Sequence, residues 1–338
     1  MEYINISNRR YLGNKYKLLP FIHEVVMNEC ANVHTFFDVF AGTGAVASAF
    51  TNCHLIVNDL MRSNFISSLA WFSSQTFSNE KVIDLINYFN SFDASDQSNY
   101  VSENFSNTYF SENVCKKIGY IRETIESMFQ SGAVNQKEWA IIITSLFYSM
   151  DRIAATCGHY DSFIQGADLP NDIILRMPIL DYPLADNNIC LNADANLIAS
   201  DYECDIAYLD PPYNSRQYCD AYHLLENIAI WQKPKVFGIA RKMDRSTMKS
   251  EYCRTSATKQ LEYLVNHLNA RYILLSYNNN GNKLQIRSNA KISDENIMRI
   301  LSTRGDVRIF TKDYRPFSAG KGENVGNQER LFLCAVRR

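Results

Sequence analysis

The sequence predicts an α/β fold: a doubly wound, mostly parallel sheet with a terminal antiparallel hairpin, interrupted by a mainly helical insertion. Three observations predict it. Short apolar runs alternate with one-sided helical stretches near the N-terminus, and the same alternation resumes after about residue 185. The first apolar run ends in a glycine turn. Residues 62–184, in contrast, read mainly as helices.

Taken in order, Lys17–Glu29 reads as a helix, with Leu18, Phe21, Ile22 and Val25 on one side. Thr35–Phe40 is a short apolar strand, Gly42 and Gly44 form the turn, and a helix is expected through Val46 and Phe50. His54–Asn58 is the second strand, which completes a βαβ unit. In the middle, Val114, Ile118, Ile121, Ile125 and Met128 recur at spacings of 4, 3, 4 and 3, giving a helix with one apolar face. Gly132 can stop it. Asn135 and Glu138 have the spacing of a capping box, and Trp139–Met150 is apolar nearly all round. Asp205–Leu209 then reads as a strand, Ala221–Trp231 as a helix and Arg271–Tyr277 as a strand. Val307–Thr311 and Arg330–Val336 suit the terminal hairpin at the sheet edge.

The chain has 338 residues, 46% hydrophobic and 21% charged, enough for one large or two modest domains with a sizeable core. Its net charge of -2 hides a polarity. Residues 62–185 and 186–211 each carry a net -6, whereas residues 212–338 carry +11. A polyanion could bind that last third despite the near-neutral total. The nine cysteines include no C-x-x-C pair, which argues against structural zinc and against a disulfide framework. They read as buried thiols of a protein in the reducing cytoplasm. The N-terminal residues have no apolar signal core, and no run of about 18 apolar residues predicts a membrane span.

Two motifs carry chemistry. The first is Phe36-Phe37-Asp38-Val39-Phe40-Ala41-Gly42-Thr43-Gly44, an apolar strand running into a tight glycine turn. Such a turn lets the backbone approach a ligand closely. A nucleotide-type site also needs an acid about 20 residues further on to hold ribose hydroxyls. Asp59 lies 21 residues after Asp38, at the end of the second strand. Ala47 stands at the third glycine position of the dinucleotide pattern, so the turn alone does not choose a cofactor, and a plain structural turn remains the alternative.

The second motif decides more. The strand Asp205–Leu209 leads into Asp210-Pro211-Pro212-Tyr213. Two prolines fix φ and remove donors, so the turn is stiff. It would aim the Asp210 carboxylate and the Pro211 carbonyl at one place, which suits an amino group with two N–H donors. Accepting both hydrogens favours a pyramidal nitrogen whose lone pair can attack. Tyr213 offers a flat face for a base, worth about 1–3 kcal/mol if stacking resembles that in single-strand binders. A third element, Arg9-Arg10-Tyr11-Leu12-Gly13-Asn14-Lys15, precedes the first strand and by itself reads equally well as a solvated basic leader.

The ordered set Y-L-G-N-K, F-x-G-x-G and D-P-P-Y resembles the alpha group of DNA adenine-N6 methyltransferases, the Dam-like group that includes type IIS restriction-modification methylases. The resemblance covers residues 3–60 and about 186–338, and the run Asp210–Tyr218 is its most specific part. It implies a Rossmann-like methyltransferase fold dependent on S-adenosyl-L-methionine, acting on double-stranded DNA, with a cognate restriction endonuclease as a candidate partner. It places Tyr11, Gly13 and Lys15 at the border of the cofactor. Asp38, Phe40, Gly42 and Gly44 would lie around the methionine portion, and Asp59 on the ribose. Asp194, in Asn192-Ala193-Asp194, would lie near the cofactor adenine. Asp210, Pro211, Pro212 and Tyr213 become the catalytic motif, and no metal is required. The resemblance divides the chain into a catalytic domain, residues 1–61 and 185–338, and a target-recognition insertion, residues 62–184.

One departure from the family pattern concerns charge. The insertion nets -6, which is poor for gripping phosphates, whereas Lys233–Lys259 holds eight basic residues against Asp244 and Glu251. That stretch is expected to face DNA, through Lys242, Arg245 and Lys249, with Arg10 as a further contact; a solvated charged loop is the alternative. Gly158-His159-Tyr160-Asp161 lacks a second ligand-type residue at metal spacing and reads as structural or as surface. Ser276-Tyr277-Asn278-Asn279-Asn280-Gly281 either lies beside the target-base pocket or simply ends a strand. An RNA adenine-N6 methyltransferase and a non-catalytic nucleic-acid-binding subunit remain as rival readings. A nicotinamide-dependent dehydrogenase is the last rival, although the D-P-P-Y turn has no role in hydride transfer.

Overall fold

A computed structural model describes residues 2–213, 215–278, 292–313 and 328–337. In chain order it opens with strand β1 (Tyr3–Ile4), helix α1 (Leu19–Glu29), strand β2 (Thr35–Asp38) and strand β3 (His54–Asn58). Five helices follow: α2 (Arg62–Phe72), α3 (Asn79–Ser91), α4 (Tyr100–Phe105), α5 (Glu112–Gln130) and α6 (Gln136–Ile153). Then come β4 (Met177–Pro178), β5 (Ile189–Leu191), β6 (Glu203–Leu209), α7 (Tyr218–Ala221) and α8 (His223–Ile230). The last elements are α9 (Ala257–His267), β7 (Asn269–Asn278), α10 (Asp294–Ser302), β8 (Gly305–Asp313) and β9 (Gln328–Val336).

The chain forms two compact units. One comprises Met1–Asn14, Met61–Tyr182 and Tyr218–Thr247; the other comprises Lys15–Leu60, Pro183–Gln217 and Met248–Arg338.

The second of these units holds a seven-stranded sheet in the order β5-β3-β2-β6-β7-β9-β8. The strands from β5 to β7 are mutually parallel, and β9 is inserted antiparallel between β7 and β8. This is the mostly parallel sheet with a terminal antiparallel hairpin that the sequence predicts. One face packs Phe37, Ile56, Ala207, Leu209, Ile273 and Leu275 against Leu261, Leu264 and Val265 of α9 and Ile297 and Ile300 of α10. Alternation puts Phe36 on the other face, where it stacks on Phe50 with ring centroids 4.1 Å apart. The chain starts at β2, moves outward to β3 and later β5, then returns to β6 on the other side of β2. The order therefore reverses between β2 and β6, and ligands of open α/β sheets bind in the crevice beyond the strand ends at such a point.

The other unit is mainly helical. Helix α6 is buried continuously from Lys137 to Met150, and the Asn135–Glu138 capping box forms at its start. Helix α5 buries Val114, Ile118, Ile121 and Ile125, the stripe read from the sequence, and Gly132 follows its end at φ 75°. Helix α2 has no side-chain cap of its own. Glu226 of α8 supplies one, accepting the Arg62 and Ser63 N–H groups at 2.6 and 3.0 Å. Strands β1 and β4 pair in parallel as a small two-stranded sheet.

Two expected helices differ. The segment after the glycine turn, expected to be helical through Val46 and Phe50, forms one 3-10 turn at Ala47–Ala49. Ala45, Ala47 and Ala49 favour a helix there, but few residues separate the turn from β3 at His54, so the chain has room for one turn only. The helix expected at Ala221–Trp231 is broken at Tyr222 into α7 and α8, and it ends at Trp231 in the left-handed region, φ 56°.

Candidate active site

Three aspartates stand just past the ends of neighbouring parallel strands. Asp38 ends β2, Asp59 follows β3 and Asp210 follows β6, and the register pairs Asp38 with both Val57 and Tyr208. The parallel sheet thus brings residues far apart in sequence to one edge, at its switch point.

The glycine turn is built around two of them. Gly42 and Gly44 have φ of 55° and 80°, values that L side chains rarely adopt. Asp59 Oδ2 accepts the Gly42 N–H at 2.8 Å, and Asp38 Oδ2 accepts the Ala47 N–H at 3.2 Å. Asp38 Oδ1 is buried with no hydrogen-bond partner among the described residues. Burial, reinforced by repulsion from Asp210 and Asp59 and only partly opposed by the Ala47 N–H, pushes the Asp38 carboxyl well above its usual range. Such a group calls for a cation or a donor beside it.

Asp210 has that kind of partner. Lys15 Nζ lies 3.1 Å from Asp210 Oδ1 and 3.0 Å from Glu329 Oε1. Burial pushes Asp210 up to about 6, with Lys15 opposing and Glu329 adding to the rise. Burial works against the Lys15 charge as well, but Asp210 and Glu329 outweigh it and hold that ammonium well above its ordinary value. In the turn itself Pro211 is buried, while Pro212 and Tyr213 are half-buried. The Tyr213 ring meets Tyr277 edge-on, centroids 6.3 Å apart, and has Lys15 Nζ 6.0 Å from its centroid.

A side wall lies near Phe40, whose ring meets Tyr252 edge-on at 5.0 Å. The Tyr252 hydroxyl donates to Asn196 Oδ1 at 2.7 Å, and the Asn196 N–H donates to Asp194 Oδ1 at 2.9 Å. Asp194 itself is exposed.

Tyr11 and Gly13 belong to the helical unit. There Tyr11 stacks on Tyr222 and Tyr218, with centroids 4.5 and 5.4 Å away. The Leu12 N–H donates to the Tyr222 hydroxyl, and the Tyr218 hydroxyl donates to the Leu12 carbonyl. Gly13 sits at φ 76°, and a Cβ there would stand 3.1 Å from the Tyr218 hydroxyl oxygen. Both facts demand glycine.

Residues 11–283 match the family model described as D12 class N6 adenine-specific DNA methyltransferase. The chain belongs to this family. As a D12 class chain it is similar to the modification methylase StsI of Streptococcus sanguinis, 31% identical over 96% of this chain and 50% of that protein. The type II methyltransferase M.FokI of Planomicrobium okeanokoites is 29% identical over 96% of this chain and 52% of its own length. The type II methyltransferase M.NlaIII of Neisseria lactamica is 28% identical over 93% and 94%. The chain therefore spans about half the length of StsI and M.FokI, and nearly all of M.NlaIII.

The basic residues of this D12 class chain are arranged less simply than their count. Lys242 Nζ pairs with Asp161 at 2.8 Å, and Arg245 Nε with Asp220 at 2.7 Å. Lys249 and Arg10 are exposed. Arg9, beside Arg10, is instead buried on Asp151 and Asn64. In Gly158–Asp161, the Tyr160 hydroxyl donates to Asp151 and its carbonyl accepts from Tyr109, so this segment serves packing in the helical unit. Among the described residues no three His, Cys, Asp or Glu side chains group as metal ligands, and no helix is long and apolar enough to cross a membrane.

Sequence reasoning missed Glu329 and Tyr252. Glu329 is the second residue of β9, whose antiparallel direction brings its first residues to the edge where β6 and β7 end. There the Ser276 hydroxyl donates to Glu329 Oε1 at 2.7 Å and Asn278 Nδ2 to Oε2 at 3.3 Å. Ser276 and Asn278 thus stand on the site edge, while Asn214, Asn279, Asn280 and Gly281 lie outside the described residues.

Proposed function

We propose that this protein transfers a methyl group from S-adenosyl-L-methionine to the N6 amino group of adenine in double-stranded DNA, at a specific sequence. The observation that supports this most is the placement of Asp210. A half-buried carboxylate at the sheet's switch point, held by the buried Lys15, begins a stiff Pro-Pro turn that ends in an aromatic ring. In this reading Asp210 and the Pro211 carbonyl accept the two amino hydrogens of the target base. Pro212 stiffens the turn, and Tyr213 lies against the base face. Loss of the planar amine geometry makes the nitrogen lone pair available.

The residues of the glycine turn fit the cofactor. The buried Asp38 Oδ1, which has no partner among the described residues, suits an ammonium group such as that of the methionine portion. Gly42 and Gly44 give the turn beside it its left-handed backbone, and Phe40 with Tyr252 gives an aromatic wall. Asp59 is assigned to the ribose and Asp194 to the neighbourhood of the cofactor adenine. Lys15 is assigned to the same border because it holds Asp210, and Tyr11 and Gly13 on the family resemblance alone. Bound S-adenosyl-L-methionine supplies a methyl group already activated for transfer, so the protein's part is to orient the amine. The target base must leave the duplex to reach such a turn.

Residues 62–184 are proposed to read the DNA sequence, with residues 1–61 and 185–338 forming the catalytic part. Phosphate contact is assigned to Arg10, Lys242, Arg245 and Lys249. A cognate restriction endonuclease is the proposed partner, since relatives carry the names of modification methylases. That the nine cysteines are thiols, not disulfide-bonded, supports placing the protein in the cytoplasm.

Methylation of a random-sequence duplex pool, followed by mapping of modified positions, tests this reading. Enrichment of methylated adenine within one sequence supports it. Preferential modification of structured RNA in a competition assay would transfer the reading to RNA.

A further inference from the structure

We propose that Glu329 is a positioning residue for this reaction, holding the Lys15 ammonium on Asp210 and sharing it, so that Asp210 stays both aimed and strongly accepting. The inference rests on the methyltransferase reading above and adds to it a residue outside every motif in the sequence.

The geometry carries it. Glu329 is 2% exposed, and each of its carboxylate oxygens has a donor: Ser276 and Lys15 on Oε1, Asn278 on Oε2. Those partners come from β7 and from the segment before α1, so the carboxylate is fixed from two directions. Lys15 is 6% exposed and lies between Glu329 and Asp210 at nearly equal distances, 3.0 and 3.1 Å. A lysine has four rotatable carbons and no planar fork, so one carboxylate alone would hold its head loosely. With Glu329 as a second anchor, the ammonium has a defined place and fixes Asp210 Oδ1 in turn.

Sharing matters as much as holding. An ammonium devoted to Asp210 alone would draw charge from the oxygen that must accept the amino hydrogen. The second carboxylate draws on the same ammonium and repels Asp210 directly, and the result is a more basic acceptor. Among the described residues, Asp38, Tyr208 and Tyr213 also act on Asp210 or Lys15. They surround Asp210 and Lys15 in the parent and in any Glu329 variant alike.

The test is steady-state methylation by the full chain, using S-adenosyl-L-methionine and genomic DNA that lacks N6-methyladenine, between about pH 5 and 8. Glu329→Gln keeps the shape and removes the charge. Its kcat should fall roughly tenfold at neutral pH, with its acid limb moved about one unit lower and KM for both substrates kept within a few-fold. Glu329→Asp keeps the charge but shortens the reach. It should keep the parental acid limb while kcat falls. Melting temperature and a cofactor titration check that each variant is folded. If Glu329→Gln does not fold, Ser276→Ala replaces it and should lower kcat without moving the limb. An active parent whose folded variants match it in kcat and in acid limb overturns the role of Glu329 alone. A parent that methylates no adenine overturns the underlying reading instead.

Discussion

Lys15 Nζ lies 3.1 Å from Asp210 Oδ1, although the two residues are separated by most of the chain and come from different motifs. Lys15 therefore holds the first residue of the D-P-P-Y turn through an ion pair whose lysine is buried and whose carboxylate is half-buried. A largely desolvated pair of this kind is no simple gain in stability. Its value lies in fixing a carboxylate that would otherwise take up a proton.

The first prediction concerns pH. Burial raises the Asp210 carboxyl to about 6, against an ordinary value near 3.8. As pH falls through about 6 the carboxylate gains a proton and becomes a much weaker acceptor for its amino hydrogen. Above that range it is ionised and competent. The kcat of methylation should therefore drop on the acid side with an apparent pKa near 6, as read from initial rates. Activity that stays level down to pH 4.5, about where an unperturbed carboxylate would still be ionised, would contradict the role given to this ion pair.

Asp59 provides the second prediction. Its Oδ2 accepts the Gly42 N–H, so it shapes the glycine turn as well as facing the proposed ribose site. Asp59→Ala should weaken S-adenosyl-L-methionine binding by about 1.5–3 kcal/mol, the range for hydrogen bonds to a charged group. Calorimetric titration measures this directly. Unchanged affinity would mean that the ribose is held elsewhere.

How much of this was legible in the sequence follows a physical pattern. Asp38, Asp59 and Asp210 each close a short apolar strand, and a parallel sheet must gather such ends on one edge. The local signals were equally readable: the Asn135–Glu138 cap formed, and so did the apolar stripe of α5. Glu329 was not readable, because its importance comes from β9 running antiparallel between β7 and β8. Nothing around Gln328-Glu329-Arg330 distinguishes it from an ordinary polar strand end. Tyr252 sits inside a basic stretch and gains meaning only from its contact with Phe40. The partners of Lys242 and Arg245 were likewise hidden, since Asp161 is far from Lys242 in sequence and Asp220 is far from Arg245.

Those two ion pairs shape the third prediction. Each phosphate contact contributes about -0.9 to the slope of log affinity against log salt. Lys249→Ala should flatten the slope by about 0.9 if that residue touches phosphate. Lys242→Ala and Arg245→Ala should each flatten it less, because part of their charge is committed to Asp161 and Asp220. The losses should be similar on cognate and unrelated duplexes, since phosphate contacts carry no sequence code. Filter binding at several salt concentrations measures the slopes. Three parental slopes would leave the basic stretch as a solvated surface.

The central claim is that Asp210 orients an adenine amino group for methylation. It is tested most directly by nucleoside mass spectrometry of adenine-methylation-free genomic DNA after incubation with S-adenosyl-L-methionine and the protein. N6-methyldeoxyadenosine should form with the parent and fall below detection with Asp210→Ala, while that variant binds the cofactor within a few-fold of the parent. Methylated cytosine in place of adenine, or equal adenine methylation by Asp210→Ala, would contradict it.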